Sequence, residues 1–336
     1  MGTDDLRRVR TYLERTGLAA AAIDELPGDA SDRRYVRVRA PDGSSQVLLV
    51  HRGPIDTATL PLLNVARLLA RMDVPAPAVR GSAGDLGILA LEDLGDLTLE
   101  RFLATATAAQ RRAVYADAVD LIARLQRRGR ELASPDYLPF TLAFDEDKLA
   151  WELDFFVEHF LLDHRRAALS AAARAALDAE LRAVARELAA EPRVLCHRDF
   201  HSRNLMLHAG RLYVIDFQDA RLGPATYDLV SLLRDCYVRH EPSFVTGMLA
   251  RYHDRAGSPG GAAFLDRFDL MSVQRHLKAL GTFGYQATAA GNERYLAAVP
   301  RTLDYLADVF RRAPRFERLR ALLAPRVPEL PQEPAP

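Results

Sequence analysis

A short run of residues near the middle of the chain combines acidic, amide and basic side chains at a spacing that suits phosphoryl transfer. It reads His-Arg-Asp-Phe-His-Ser-Arg-Asn from His197 to Asn204, and Asp216 follows it after a further apolar segment. In catalytic loops of this form the Asp accepts the proton of the attacking hydroxyl, while the Asn and a later Asp hold Mg²⁺ on the phosphates of ATP. We therefore predict Asp199 as the catalytic base, Asn204 and Asp216 as metal ligands, and ATP and Mg²⁺ as cofactors.

Short apolar strands are expected on both sides of this run. Residues 194–196 precede it and residues 212–215 follow it, so three acceptor side chains would converge on one spot. The alternative is that Asp199 and Asp216 are turn residues that flank a hairpin, since Asp is common where a strand ends. The joint spacing and the strand context favour the catalytic interpretation.

Further segments resemble a known enzyme superfamily. They are Gly-Asp-Ala-Ser-Asp-Arg-Arg-Tyr at 28–35, Ile-Asp-Phe-Gln-Asp-Ala-Arg-Leu-Gly-Pro at 215–224, Tyr-Asp-Leu-Val-Ser-Leu-Leu-Arg-Asp at 227–235 and Gln-Arg-His-Leu-Lys at 274–278. With the catalytic run, they resemble the aminoglycoside phosphotransferase and choline kinase superfamily. Within it they are most similar to the bacterial anomeric kinases of cell-wall amino sugars, which act on N-acetylmuramate and N-acetylglucosamine.

This resemblance implies an α+β, protein-kinase-like two-lobed fold. A small β-rich N-lobe would span residues 1–93 and a larger, mainly helical C-lobe residues 94–325. ATP would bind between the lobes with its adenine against residues 89–94, where Glu92 and Leu94 are the predicted contacts. The implied activity is phosphorylation of the anomeric hydroxyl of an amino sugar in peptidoglycan recycling. The Pro- and Glu-rich residues 326–336 are predicted to be a disordered tail.

Three other functions remain open. The first is a kinase of another small alcohol such as an aminoglycoside, choline or homoserine. The second is a non-catalytic nucleotide-binding pseudokinase, against which the intact Asp199, Asn204 and Asp216 argue. The third, a protein kinase, is disfavoured because the interval from Asp216 to Tyr227 is too short for an ordinary activation loop.

Composition excludes several classes of protein. The 45 basic and 45 acidic side chains balance, so bulk charge gives no reason to expect attraction to nucleic acid or to a membrane. The charged N-terminus has no apolar leader segment, and no later segment approaches the length of a membrane span. Two cysteines are too few for a disulfide framework. We expect a cytoplasmic enzyme with a small-molecule amino sugar substrate and no obligate protein partner.

Apolar periodicity predicts the elements that position the catalytic run. A leading helix is expected over residues 6–18, a hairpin from strands at 34–39 and 47–50, a helix over 60–72 and a strand over 87–91. Beyond residue 95 helical periodicity dominates, and helices are predicted over 114–125, 149–162 and 171–188.

The N-lobe departs from the pattern of protein kinases. The strand at 47–50 has no lysine for the ATP phosphates, and the following helix offers Asn64 where an acidic partner is usual. Ser31 is the predicted contact for the phosphates in the segment that begins at Gly28. Arg34 is the preferred substitute for the missing lysine, and it cannot face the same side as Arg37 unless the strand bulges. The alternative is that these arginines are solvated strand charges.

The predicted substrate residues are Arg203, Asp219, Arg221, Arg234, Arg275 and His276. This mixture of cations and acids suits a neutral polyol or a sugar with a carboxylate, because Arg presents a planar fork of donors to oxygen atoms. The alternative is that these residues form ion pairs with one another and do not contact the substrate. Gln274, Arg275 and His276 are adjacent on one predicted helix and cannot all face one cleft. Trp151 and Phe155 could stack on a sugar ring, although core packing is the expected state.

Overall fold

The chain folds into two compact units. The computed structural model describes residues 1–26, 34–257 and 260–333. The first unit comprises Met1–Thr98 and Leu205–Asp219, and the second comprises Leu99–Asn204 and Ala220–Pro336. The first unit therefore extends to Thr98, beyond the boundary predicted at residue 93. It also contains Leu205–Asp219, which follows the catalytic run in the sequence.

The first unit is built on a five-stranded antiparallel sheet with the strand order β1-β2-β3-β5-β4. Its strands are β1 (Ala22–Glu25), β2 (Arg34–Arg39), β3 (Ser45–Val50), β4 (Val79–Ala83) and β5 (Ile88–Glu92). Helix α1 spans Thr3–Arg15 and helix α2 spans Pro61–Arg71. The predicted hairpin is confirmed, because β2 pairs with β3 along its whole length.

One face of this sheet packs against α1. Val36 and Val38 of β2 are buried together with Leu48 and Val50 of β3, and Leu13 of α1 belongs to the same apolar cluster. Alternate residues of a strand point to the same face, so the apolar members of β2 and β3 are placed on the side that α1 covers. The amphipathic pattern of the sequence thus specifies which side of the sheet is buried.

A second hairpin completes the first unit. Its strands are β7 (Leu205–His208) and β8 (Arg211–Val214), which pair with each other. The amide of Leu207 donates to the carbonyl of Leu97 at 2.8 Å, and that of Val214 donates to the carbonyl of Pro75 at 2.8 Å. These bonds attach the hairpin to the first unit.

The second unit is mainly helical. Its helices are α3 (Leu99–Leu103), α4 (Ala108–Glu131), α5 (Glu146–Phe156), α6 (Ala171–Ala189), α7 (Tyr227–Leu233), α8 (Pro242–Ala256), α9 (Ala262–Thr288), α10 (Val299–Arg312) and α11 (Glu317–Leu323). Strands β6 (Arg193–Cys196) and β9 (Arg221–Pro224) form an antiparallel pair. Among the described residues, no helix combines the length and the apolar character needed to cross a membrane.

The helix predicted over residues 149–162 is interrupted. After α5 ends at Phe156, residues Val157–His164 continue as a π-helix. Helix α9 crosses this segment at two glycines: a Cβ on Gly281 would lie 2.8 Å from the backbone of Phe156, and one on Gly284 would lie 2.3 Å from the carbonyl oxygen of His159. The two helical backbones thus approach too closely for a side chain, and glycine permits the contact.

The predicted disordered tail is wrong for its described part. Val327 and Leu330 are buried, and the guanidinium of Arg320 donates to the carbonyl of Pro331 at 2.7 Å. Val327 and Leu330 are spaced three residues apart between prolines, and burial of their apolar side chains favours an ordered segment.

Replacement of Gly284 by Ala should destabilise the protein. The new Cβ would meet the backbone of the π-helix, which cannot move aside as a flexible side chain can, and overpacking of this kind costs about 1–3 kcal/mol. Gly247→Ala is the matched control, because Gly247 lies in α8 and its Cβ would have no neighbour nearer than 3.9 Å. That control should be neutral or stabilising by about 0.5–1 kcal/mol. Urea unfolding measures both, and a Gly284→Ala protein as stable as the control would contradict the close approach.

Candidate active site

The catalytic loop connects β6 to β7 and is held by two buried carboxylates. Asp228, at the start of α7, accepts the backbone N–H of His197 at 2.7 Å and that of Arg198 at 3.0 Å. Asp235 accepts the N–H of Ser202 at 2.8 Å and that of Tyr237 at 2.7 Å. Backbone donors at both ends of the loop are therefore fixed from outside it. The segment 227–235 that carries part of the resemblance thus supplies both bracing carboxylates.

Both bracing carboxyls are removed from solvent. Burial raises the pKa of Asp228 to about 7, although the N–H groups of His197 and Arg198 oppose the shift. Burial likewise raises the pKa of Asp235 to about 6, against the donors at Ser202 and Tyr237. The backbone donors thus offset part of the cost of placing these carboxyls in the interior.

Asp199, the predicted base, is bound by two cations of α9. Its Oδ1 lies 2.9 Å from Nη2 of Arg275 and 3.2 Å from Nζ of Lys278. Burial alone would raise the pKa of Asp199, but the charges of Lys278, Arg275 and Arg198 outweigh it, and the pKa lies well below its ordinary value. Asp199 is therefore ionised at neutral pH, and its other oxygen, Oδ2, has no hydrogen-bond donor among the residues that the structure describes.

Adjacent residues of α9 point to different partners, as predicted. Gln274 donates to Oε2 of Glu152 at 2.9 Å, while Arg275 binds Asp199 and also donates to Oγ of Ser231 at 2.9 Å. The imidazole of His276 lies 2.9 Å through Nε2 from the carbonyl of Arg234 and 3.0 Å through Nδ1 from Oγ of Ser272, so Nε2 can donate while Nδ1 accepts. The predicted substrate role of His276 is not supported, because this imidazole is buried and fully engaged in the helix packing.

Three residues of the site were missed from the sequence. Lys278 and Asp235 were recognised only as parts of motifs, and Glu152 was not recognised at all. Glu152 is 1% exposed, accepts from Gln274 and lies 3.7 Å from Nη2 of Arg198. A signal existed for Lys278, since it follows Arg275 by three residues and so lies on a neighbouring part of the same helix face.

Two of the predicted substrate arginines are already paired with acids. Arg203 makes two bonds to Glu100, at 2.8 and 3.1 Å. Arg234 is buried and donates to Asp269 at 2.7 Å. These ion pairs agree with the alternative interpretation, in which the arginines pair with acids of the protein. They argue against a substrate role for Arg203 and Arg234.

The other two predicted substrate residues, Asp219 and Arg221, are two residues apart in the sequence, and Arg221 begins β9. The guanidinium of Arg221 in β9 lies 5.4 Å from the ring centre of Phe144. Asp219 belongs to the first unit and accepts a long bond of 3.5 Å from Gln218. Both side chains have further interactions, so their predicted contacts with substrate stay predictions.

The predicted metal ligands have the chemistry that Mg²⁺ prefers. Asn204 of the second unit donates from Nδ2 to the carbonyl of Asp199 at 3.0 Å, which leaves its amide oxygen without a donor among the described residues. Asp216 of the first unit has φ of 63° and accepts from Gln218 at 2.8 Å. An amide oxygen and a carboxylate are hard donors that fit Mg²⁺, which commonly takes its remaining ligands from phosphates and water. No group of three or more His, Cys, Asp or Glu in the described ranges could hold a metal.

Arg34 and Arg37 lie in different surroundings. Arg34 is half-exposed and pairs with Asp5 and Glu25, both at 3.3 Å, so its predicted role as the substitute for the lysine is not supported. Arg37 is buried and binds Asp93 through two bonds of 2.8 and 2.9 Å. As expected for a regular strand, the two arginines point to opposite sides.

The remaining predicted nucleotide contacts make bonds within the first unit. Glu92 accepts the N–H of Ala78 at 3.1 Å, and the carbonyl of Leu94 lies 3.1 Å from Nδ1 of His208. Ser31 lies outside the described residues. The contacts of these residues with ATP stay predictions.

Sequence comparison relates the chain to known phosphotransferases. A model of the phosphotransferase enzyme family matches residues 22–265. An N-acetylmuramate/N-acetylglucosamine kinase of Neisseria meningitidis is 36% identical over 302 residues, which cover 88% of this chain and 87% of the relative. A protein of the same name from Pseudomonas putida is 32% identical over 319 residues, which cover 91% and 88% of the two chains.

Solved structures share the fold. A choline/ethanolamine kinase family protein of Mesorhizobium loti superposes with a TM-score of 0.60 at 18% identity and covers 93% of this chain and 98% of its own. The ADP-bound aminoglycoside phosphotransferase APH(2'')-Ib gives a TM-score of 0.59 at 15% identity, with coverage of 91% and 99%. These likenesses confirm the predicted α+β, protein-kinase-like fold.

Replacement of Lys278 by Met should weaken phosphoryl transfer and move the acidic limb of its pH profile. The ammonium of Lys278 favours the ionised form of Asp199, so its removal raises the pKa of Asp199 and the acidic limb of kcat/KM moves to higher pH. Loss of a charge-assisted hydrogen bond of about 1.5–3 kcal/mol should lower kcat/KM about ten- to a hundredfold. Lys278→Arg keeps the charge and should keep the limb in place. An unchanged kcat/KM and an unchanged limb in Lys278→Met would show that Lys278 does not act on Asp199.

Proposed function

Because the chain belongs to the phosphotransferase enzyme family, we propose that it is an ATP-dependent kinase of the anomeric hydroxyl of N-acetylmuramate and N-acetylglucosamine. The observation that carries the proposal is the ionised Asp199, which is held by Arg275 and Lys278 of α9. Relatives named for these two sugars, similar over most of both chains, support the choice of substrate. The product would be a sugar 1-phosphate formed during reuse of cell-wall sugars.

Asp199 orients the acceptor in this proposal. Its Oδ1 is occupied by the two cations of α9, so we assign the acceptor hydroxyl to Oδ2. A carboxylate with a lowered pKa is a weak base, and it takes the proton only as the bond to phosphorus forms. The anomeric hydroxyl suits such a base, because a hemiacetal hydroxyl is more acidic than that of an ordinary alcohol.

Arg275 and Lys278 serve the transferred group as well as the base. When the proton passes to Asp199, that carboxylate loses its charge while both cations keep theirs. Their positive charge is then available to the phosphoryl oxygens at the stage where negative charge is greatest. Electrostatic stabilisation that is realised mainly in the transition state is the kind that raises kcat.

Mg²⁺ and ATP complete the proposed site. Asn204 and Asp216 would hold Mg²⁺, which supplies charge neutralisation to the phosphates when bound. The adenine is assigned to residues 89–94 of the first unit, with Glu92 and Leu94 as its contacts. A cytoplasmic location, where ATP is available, belongs to the same proposal.

The cations around Asp199 weigh against the other acceptors. Choline and aminoglycosides carry positive charge, which Arg275 and Lys278 would repel. A pseudokinase would not need an ionised carboxylate with one oxygen left for a ligand. The arrangement therefore favours a neutral or anionic acceptor and a working enzyme.

A panel of sugars tests the proposed activity. With ATP and Mg²⁺, the protein should convert N-acetylglucosamine and N-acetylmuramate to 1-phosphates, which ³¹P NMR and the loss of the reducing end both report. Asp199→Asn should lower kcat by about 10²–10⁴ and leave ATP binding intact, because the base contacts the acceptor. Asp178→Asn, which changes an acid of α6 paired with Arg174, should leave kcat unchanged. A product phosphorylated at C6 would refute the anomeric assignment, and a fully active Asp199→Asn would refute the base.

Replacement of Asp216 by Ala should abolish Mg²⁺-dependent binding of ATP, because a carboxylate that holds the metal against the phosphates is lost. Asn204→Ala should weaken the binding less, since it removes a neutral ligand. Asp85→Ala provides the control in the same unit, because Asp85 is exposed and pairs with Arg15. Calorimetry with ATP at saturating Mg²⁺ compares the three variants. Wild-type affinity in Asp216→Ala would remove this residue from the metal site.

A further inference from the structure

The chain contains only two lysines, and one of them binds Asp199. Lys148 and Lys278 stand against 43 arginines. Lys278 touches Asp199 directly, whereas the role of Lys148 is not explained by the catalytic arrangement. Lysine presents a compact ammonium and arginine a planar fork, so the two are not interchangeable at a binding site.

Lys148 has an unusual partner. Its ammonium lies 3.8 Å from the centre of the indole ring of Trp151, one turn further along α5. Within the described part of the chain it makes no ion pair with a carboxylate. The half-buried ammonium is therefore held by a cation–π contact and lacks the anion that would balance its charge.

Further positive charges surround Lys148. Arg198 of the catalytic loop, Arg221 of β9 and Lys278 of α9 all act on it electrostatically, and Glu152 is the acid that opposes them. Burial lowers the pKa of Lys148, Glu152 raises it, and the three cations lower it further. Glu152 supplies one negative charge against these four cations, so the cluster can take up an additional negative charge.

Trp151 is exposed, contrary to the core packing expected for it. The indole is 53% exposed, and its other ring neighbour is Phe155 at 5.5 Å. Solvent, and hence a ligand, can reach the indole and the ammonium that it holds. Glu152, the next residue of α5, is linked through Arg198 to Asp199, so Lys148 lies in the surroundings of the reacting group.

We propose that Lys148 binds the carboxylate of N-acetylmuramate, and that Trp151 is the positioning residue that holds the ammonium ready for it. This inference rests on the proposed function and identifies the residue that separates the acidic sugar from the neutral one. Three of the four arginines predicted as substrate residues are less suitable, because Arg203, Arg234 and Arg275 are each bound to an acid of the protein. The fourth, Arg221, has interactions of its own, whereas Lys148 makes no ion pair with an acid in the described part of the chain.

Fluorescence of Trp151 tests the binding without any turnover. The chain has one tryptophan, so its emission reports on this site alone. Titration with N-acetylmuramate should change the emission saturably, and Lys148→Met should raise the dissociation constant about ten- to a hundredfold. The methyl ester of N-acetylmuramate, which keeps the size and removes the charge, should bind wild type and Lys148→Met within about threefold of each other. Equal losses for acid and ester would overturn the proposal.

Kinetics give the second measurement. Lys148→Met should lower kcat/KM for N-acetylmuramate about ten- to a hundredfold, mainly through KM, and change that for N-acetylglucosamine less than threefold. Lys148→Arg should restore part of the loss, and Trp151→Ala should give an intermediate loss confined to N-acetylmuramate. Arg112→Met is the matched control, because Arg112 lies over the ring of Phe244 elsewhere in the second unit. It should affect neither sugar.

The fluorescence and kinetic measurements together distinguish a failure of this inference from a failure of the proposed function. Turnover of both sugars with equal losses in Lys148→Met would assign Lys148 to the phosphoryl group or the nucleotide, and would overturn this inference while leaving the kinase in place. Turnover of N-acetylmuramate with no change in emission at saturating sugar would overturn it as well. Absence of turnover and of binding for both sugars would refute the proposed function itself.

Discussion

The arrangement of the active site depends on two buried carboxylates that hold the backbone of the catalytic loop. Asp228 and Asp235 together accept four N–H groups, three of which belong to the loop. Arg198 has φ of 87°, a conformation that a residue with a side chain rarely adopts and that costs about 1–3 kcal/mol. External acceptors offset this cost, so the position of Asp199 is set by α7 and the segment after it rather than by the loop alone.

Helix α9 provides the second half of the site. One part of it carries Arg275 and Lys278 to Asp199, and the next turns carry the glycines that meet the π-helix. The close approach at Gly281 and Gly284 fixes the helix as a rigid body against α5. The cations are therefore presented from a packed element, and little conformational entropy is lost when they bind the carboxylate. The same contact places α5, with Lys148 and Trp151, beside the helix that binds the base.

Much of the fold could be predicted from the sequence because it depends on local periodicity. The hairpin of β2 and β3 and the helices α2 and α6 follow from alternation or from helical spacing of apolar residues. The catalytic loop was recognisable because its residues are close in the sequence. Prediction failed where the partner of a residue is distant in the sequence. The alternation of a strand places Arg34 and Arg37 on opposite faces, but it does not indicate which of them binds Asp93. In the structure it is Arg37, which precedes Asp93 by 56 residues.

The missed site residues have the same explanation. Lys278 is 79 residues from Asp199, and Gln274 is 122 residues from Glu152. Such pairs depend on how α5, α9 and the loop pack, and no local pattern encodes that. The arginines near the loop were predicted to bind substrate because Arg presents a planar fork of donors, but the rarity of lysine in this chain was the more informative feature. Trp151 was expected in the core because it shares a helix face with Phe155. Helical spacing shows that two residues share a face, but it does not show whether that face is buried.

The electrostatics of Asp199 constrain the acceptor more strongly than the fold does. The neighbouring cations lower the pKa of Asp199 and so make proton transfer to its carboxylate less favourable. A tenfold weaker base loses about 1.4 kcal/mol of the free energy of that transfer. A strongly basic carboxylate is thus excluded, and an alcohol that holds its proton tightly would gain little from it. A hemiacetal hydroxyl gives up its proton more readily and reduces this deficit. At the same time the cations that weaken the base favour an anionic acceptor and the phosphoryl charge. A weak base in a cationic setting therefore suits the anomeric hydroxyl of an acidic or neutral sugar better than the hydroxyl of a cationic alcohol.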